Sequence, residues 1–178
     1  MSGQRQLDPE SLGDHVDRLY RAAWSLCGSR EDAEDLVQET FARVLRKPRL
    51  LRSEDDIGYL LRVLRNTFIS SRRSASRRPA ELLAGDDLEL LAGTGPSATD
   101  RWMDSDQLYA AISALPDDFR DALIAVDVVG LSYREAAKSL KVQEATITTR
   151  LHRARQRIVR SLSLEEQAPR SEGHDQRS

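Results

Sequence analysis

SYREAAKSLKVQEATITTRLHRARQRI, residues 132–158, contains two helical segments separated by a three-residue turn. Ser132 and Glu135 form a capping box, in which hydroxyl and carboxylate each satisfy a backbone donor that a helix start leaves open. The short helix that begins there ends at Leu140. After the turn, Lys141 to Gln143, a longer helix carries Ile147, Leu151, Ala154, Ile158 and Leu162 at helical spacing. Two helices joined in this way, the second longer and basic, are the pattern of a DNA-binding helix-turn-helix. The face away from the apolar stripe carries Gln143, Glu144, Thr146, Thr149, Arg150 and Arg153, side chains able to reach base edges or phosphates. A solvated basic helix would have the same composition, and the capped helix of fitting length before it tips the reading toward DNA.

Working back toward the N-terminus, Leu108, Ala111, Ile112 and Leu115 predict a helix from Asp104. Pro116 starts the next, which buries Phe119, Ala122, Leu123 and Val126 and ends at Gly130. Residues 79–103 are acidic and punctuated by Pro79, Gly85, Gly93, Gly95 and Pro96, so they read as a linker, though Leu82, Leu83, Leu88, Leu90 and Leu91 predict that part of it docks on something. Four helices are legible before it. The first places Leu12, Val16, Leu19, Tyr20, Ala23 and Leu26 on one face and stops near Gly28. The second is capped by Ser29, buries Ala33, Leu36, Val37, Phe41 and Val44, and stops at Pro48. The third, capped by Ser53, buries Ile57, Leu60, Leu61, Leu64 and Phe68; a break around Ser70–Ser76 leaves a short terminal piece as the fourth.

The 178 residues carry 27 Lys+Arg against 29 Asp+Glu, which excludes a uniformly basic nucleic-acid coat. The balance is a sum of opposed blocks. Five acids lie between Glu31 and Glu39, six arginines and no acid between Arg62 and Arg78, seven acids and one base between Glu81 and Asp106, and five arginines and no acid between Arg150 and Arg160. One cysteine, Cys27, and three scattered histidines allow neither a disulfide framework nor an intrachain Cys/His zinc site, so no metal or other cofactor is expected. No Walker A motif or nucleophile constellation is present, as in a non-enzyme. Without a signal-like N-terminus or a spanning apolar run, a cytoplasmic protein with no membrane insertion is expected. Cys27, Trp24 and Trp102 read as packing residues.

Two faces of the first half stand out. At 100° per residue, Arg62, Arg65, Asn66, Arg72 and Arg73 lie opposite the leucine stripe of the third helix, where they could follow a phosphate backbone while Asn66 and nearby Tyr59 meet exposed bases. On the second helix Asp32, Asp35, Gln38 and Glu39 form an acidic outer ridge. Complementation of the helix dipole accounts for Glu31 and Asp32 without a partner, but not for Glu39.

The ordered set DAEDLVQETFARVLR (32–46), YLLRVLRN (59–66), ALPDDFRDALIAVDVVGLSYREAAKSL (114–140) and TITTRLHRARQRI (146–158) resembles the extracytoplasmic-function (ECF) sigma factors of bacterial RNA polymerase, over roughly residues 7–163. The resemblance implies an all-α fold: a helical sigma domain 2 at 7–78, a linker at 79–103, a helix-turn-helix sigma domain 4 at 104–163, and a flexible tail at 164–178. It implies that Asp35, Leu36, Gln38 and Glu39 dock on core RNA polymerase. Tyr59, Arg62, Arg65, Asn66, Arg72 and Arg73 would serve the −10 element, with the loop Lys47 to Glu54 capturing a flipped base. Gln143, Glu144, Thr146, Thr149, Arg150 and Arg153 would read the −35 duplex. An anti-sigma factor is the further partner the resemblance implies; a stand-alone helix-turn-helix regulator is the alternative. Tyr59, Lys141, Ala145 and Thr148 depart from the Trp, Gly, Gly and Lys frequent in that family.

Overall fold

The computed structural model describes residues 4–6, 10–46, 50–52, 56–77 and 99–166, and they are almost entirely helical. A 3-10 turn, Glu10–His15, leads into α1, Val16–Cys27. The α-helix therefore starts four residues later than the apolar period predicts: Leu12 is buried from the 3-10 turn, whereas Val16 is exposed at the first position of α1. Gly28 ends α1 with φ +77°, and its N–H bonds to the Trp24 carbonyl at 2.8 Å. Glycine is required there for a second reason, since a Cβ would sit 2.6 Å from Ser113 Oγ.

Helix α2, Arg30–Arg46, is capped as expected, with the Asp32 N–H donating to Ser29 Oγ at 3.3 Å. Helix α3 runs from Asp56 to Arg77 without the break expected at Ser70–Ser76. The serines do not compete with the helix, because the Ser71 and Ser76 hydroxyls bond back to the carbonyls of Thr67 and Arg72 one turn earlier. Between α2 and α3, β2 (Leu50–Arg52) pairs antiparallel with β1 (Gln4–Gln6) in the register Gln4↔Arg52, Arg5↔Leu51, Gln6↔Leu50. This ladder of three residues a side was not expected. Pro48, the Ser53 cap, most of the loop Lys47 to Glu54 and the linker leucines lie outside the described residues.

Helix α4 begins at Thr99, five residues before the expected start at Asp104, and runs to Ser113. Helix α5, Asp117–Leu123, widens into a π-turn, Ile124–Val128, in which the Val129 N–H reaches back to the Ile124 carbonyl at 2.9 Å. Helix α6, Tyr133–Leu140, starts at the complete capping box: Glu135 N–H donates to Ser132 Oγ, and Ser132 N–H to the Glu135 carboxylate at 2.8 Å. Helix α7, Glu144–Glu166, closes the fold.

One hydrophobic cluster runs through both halves, from Leu12 to Ile158. Helix α1 is its hub, packed on α2, α3, α4 and the π-turn, while α6 packs on α3 and α7 on α4, α5 and α6. Trp24 stacks on Tyr109 across the halves, ring centroids 4.1 Å apart, and Arg30 covers the other surface of the indole while pairing with Asp106 at 3.0 Å. The Trp102 side chain lies outside the described residues.

Candidate functional surfaces

The acidic ridge of α2 forms largely as its spacing predicts. Asp32, Asp35, Gln38 and Glu39 are exposed, and Arg43 donates to Glu39 at 2.7 Å; this bond holds the Glu39 carboxyl below its ordinary range. Leu36 differs: it is buried at 7% exposure with Ala33 and Val37, because it belongs to the helix's apolar stripe. It lines a groove of about 680 Å³, whose walls also include Asp35, Glu39, Phe68, Arg72 and Arg120. Cys27 also lines that groove, and burial pushes its thiol up to about 11, so it behaves as an inert packing residue.

The basic face of α3 is divided. Asn66, Arg72 and Arg73 are exposed near its C-terminal half, with Arg72 over the Phe68 ring at 5.7 Å. Tyr59, Arg62 and Arg65 are half-buried: Tyr59 packs against the core, and Arg62 and Arg65 are held by groups of the second half of the chain. Arg62 donates to the carbonyls of Lys138 (3.1 Å) and Ser139 (3.2 Å), the end of α6 where unpaired carbonyls and the helix dipole favour a cation. Ser139 Oγ returns a bond to the Gly58 carbonyl at 2.9 Å. Arg65 pairs with Asp121 at 2.5 Å, and Arg120 lies over the Phe68 ring at 5.4 Å. Asp121 is buried; desolvation raises its carboxyl pKa, outweighing the opposing pull of Arg65. From α1, Arg18 donates to the Val129 carbonyl just past the π-turn.

The basic face of α7 is open. Gln143, Glu144, Thr149 and Arg153 are exposed, and Thr146 and Arg150 partly so. Thr146, Thr149, Arg150 and Arg153 line one groove of about 420 Å³ with Phe119 and Ala145. Arg150 is tied to Asp118 at 2.8 Å, and Arg155 is gripped by both carboxylate oxygens of Asp127 at 2.7 and 2.9 Å; that hydrogen bonding raises the pKa of its guanidinium further. Arg157 lies over Phe119 at 5.1 Å. The turn into α7 puts Lys141 at φ 57°, ψ 45°, the left-handed conformation that a glycine would adopt without strain.

Asp118, Asp121 and Asp127, which hold arginines of α3 and α7, and Arg18, which ties α1 to the Val129 carbonyl, escaped the sequence reading. Asp117 and Asp118 sit in the first turn of α5, where dipole complementation already accounts for them, and nothing local marks Arg65 as the partner of Asp121 or Arg155 as the partner of Asp127. Among the described residues no group of three His, Cys, Asp or Glu could hold a metal ion, and no helix is long and apolar enough to cross a membrane.

Comparison with known proteins locates two family segments. The Sigma-70 region 2 family matches residues 12–78 and the Sigma-70 region 4 family matches 105–158. The chain is 37% identical over 152 residues to the ECF RNA polymerase sigma factor SigE of Mycolicibacterium smegmatis, covering 84% of this chain and 59% of that protein. It is 35% identical over 144 residues to EcfG of Rhodopseudomonas palustris, covering 80% and 78%, and 31% identical over 146 residues to SigM of Bacillus subtilis, covering 81% and 88%. Among solved structures, the sigma factor RpoE in complex with the anti-sigma factor NepR from Bartonella quintana aligns with a TM-score of 0.69 at 26% identity over 88% of this chain and 96% of that one. CnrH in complex with the cytosolic domain of CnrY shares the fold, at TM-score 0.60 and 19% identity over 88% and 87%. Two sigma segments in order on one all-helical chain, and relatives that bear the family name over most of their length, make this chain a member of the ECF RNA polymerase sigma factors.

Proposed function

We propose that the protein confers promoter specificity on core RNA polymerase, recognising −10 and −35 elements and starting transcription without catalytic chemistry of its own. The first unit, 7–78, presents the α2 ridge of Asp35, Gln38 and Glu39 to the polymerase, with Leu36 behind it, and turns Tyr59, Arg62, Arg65, Asn66, Arg72 and Arg73 to the −10 strand. The second unit, 104–163, reads −35 duplex with Gln143, Glu144, Thr146, Thr149, Arg150 and Arg153 on α7. Residues 79–103 link them. The observation that carries this reading is the open outer face of α7, with five arginines and no acid between Arg150 and Arg160, behind a fully capped α6, in the same chain as an acidic ridge on α2. Melting draws on binding energy: unstacking a base costs a few kcal/mol, offset when the extruded base is held. Action on core polymerase implies a cytoplasmic protein, and the complex of RpoE with the anti-sigma factor NepR supports an anti-sigma factor as regulator.

The test is transcription from fragmented genomic DNA by core polymerase with and without the protein. Discrete start sites that appear only with it are expected, and they should weaken when Asp35→Ala is combined with Glu39→Ala. A palindromic footprint made without polymerase, and no new transcripts, would instead identify a stand-alone regulator.

A further inference from the structure

The direction that α7 offers to DNA follows from what it buries. Ile147, Leu151, Ala154 and Ile158 face the core, and at 100° per residue the opposite line runs through Ala145, Thr149, His152 and Gln156, all exposed. Arg150 is nearer the buried stripe and held by Asp118; Arg155 is held by Asp127; Arg157 lies over Phe119. The Thr149 hydroxyl turns back onto the Ala145 carbonyl at 3.2 Å. Along the middle of the face, His152 and Gln156 are bonded to each other, Nε2 to Nε2, at 3.1 Å. When the amide N–H donates, imidazole Nε2 accepts, and the amide keeps one N–H and its carbonyl oxygen. A donor beside an acceptor on a fixed amide is the set that matches adenine N7 and N6 in the major groove.

We infer that His152 and Gln156 are specificity-determining residues of −35 recognition, Gln156 reading an adenine edge and His152 acting as the positioning residue that steadies its amide. The inference rests on the proposed reading of α7 as the −35 helix. From Thr149 to Gln156 the helix rises about 10 Å, about two turns, so the pair continues the outer line of α7 beyond the groove beside Thr149.

The experiment uses holoenzyme reconstituted from core polymerase and this protein. Selection from a promoter library randomised at −35 gives the preferred sequence, and every single-base change is then titrated with the parent, Gln156→Ala, His152→Ala and the double variant. Specificity is a ratio between sequences for one preparation, so a changed active fraction cancels. For Gln156→Ala, discrimination at one adenine should fall about 5- to 100-fold while the salt dependence of binding stays unchanged, since an amide neutralises no phosphate. His152→Ala should weaken discrimination at the same position, and the double variant should lose no more than Gln156→Ala alone. Equal loss on all sequences, unchanged preference, or additive losses at two separate positions would overturn the inference. Arg153→Ala separates it from the broader reading: if this variant also leaves affinity and salt dependence untouched, α7 does not enter the groove at all.

Discussion

Helices α3 and α7 carry basic faces that look alike in composition, five arginines between Arg62 and Arg77 and five between Arg150 and Arg160, yet the fold treats them in opposite ways. On α7 the ionic partners, Asp118 and Asp127, come from the helix's own half and leave the outer line open. On α3 the partners of Arg62 and Arg65 come from the other half: the carbonyl end of α6 and the buried carboxylate of Asp121. The chain as it stands therefore offers the α7 face proposed for the −35 element and covers half of the α3 face proposed for the −10 element. An arginine run reports the sign of a surface, and only the packing around it says whether that surface is available. Engaging −10 DNA through Arg62 and Arg65 requires α5 and α6 to leave α3.

The contacts that hold the halves together suit such a separation. Arg65 and Asp121 form a close pair, but burial of the carboxylate costs much of what the pair returns, and a buried ion pair is weak evidence of stability. Both groups are hydrated once the halves part. Removing one partner while the halves stay together is a different matter. Arg65→Ala strands the Asp121 carboxylate at 6% side-chain exposure, a change that costs about 3–5 kcal/mol in comparable buried pairs. The expected result is an expanded free protein, with a larger radius of gyration by small-angle scattering and a longer distance between dyes placed on the two halves. An equally compact Arg65→Ala protein would break the contrast, because the cover on α3 would then not depend on the ion pair.

Much of this architecture was legible in the sequence. The apolar stripes of α2, α3 and α7, the Ser29 and Ser132 caps and the turn at Lys141 are local consequences of spacing and side-chain chemistry, and local signals survive folding. The start of α1 slipped because Leu12 meets the core from a 3-10 turn that shares the helix's apolar positions. Continuity through Ser70–Ser76 was hidden because serine can either leave a helix or bond back into it. The β1–β2 ladder, three residues a side, is too short for alternation to show. Leu36 was assigned to the docking ridge by resemblance, while its spacing with Ala33, Val37 and Thr40 already placed it in the core. At the candidate site, the residue types on α3 and α7 were readable, but the long-range partners that distinguish the two faces were not.

The turn before α7 sharpens the contrast from the other side, because the geometry of the α7 face is set within its own half. Lys141 holds a left-handed conformation that costs a residue with a Cβ about 1–2 kcal/mol, partly recovered here by the bond from its N–H to the Ala137 carbonyl. Lys141→Gly removes the strain but adds freedom to the unfolded chain, so a net gain of about 1 kcal/mol and a melting point about 2–4 °C higher are expected. Scattering should show the same compactness as the parent. A Lys141→Gly protein that opened would mean that the turn also sets how α6 sits on α3.

The smallest expected effect is that of pH on the cover itself, and its sign follows from Asp121. Burial raises its carboxyl pKa above the usual 3.8 when the halves are together, while separation returns it to water and to the ordinary value. A group whose pKa is higher in the packed state favours that state most when protonated, below the ordinary pKa, and loses that contribution as pH rises through the raised value. The packed form should thus be favoured in mild acid and relax slightly toward neutrality, read as a small increase in inter-half dye distance. Asp121→Asn keeps a side-chain oxygen facing Arg65 but has no proton to lose, so its distance should be flat across the same range. If the parent is equally flat, or opens as the solution is acidified, the attraction of Arg65 dominates desolvation at Asp121, and the cover over α3 is a firmer lock than its burial implies.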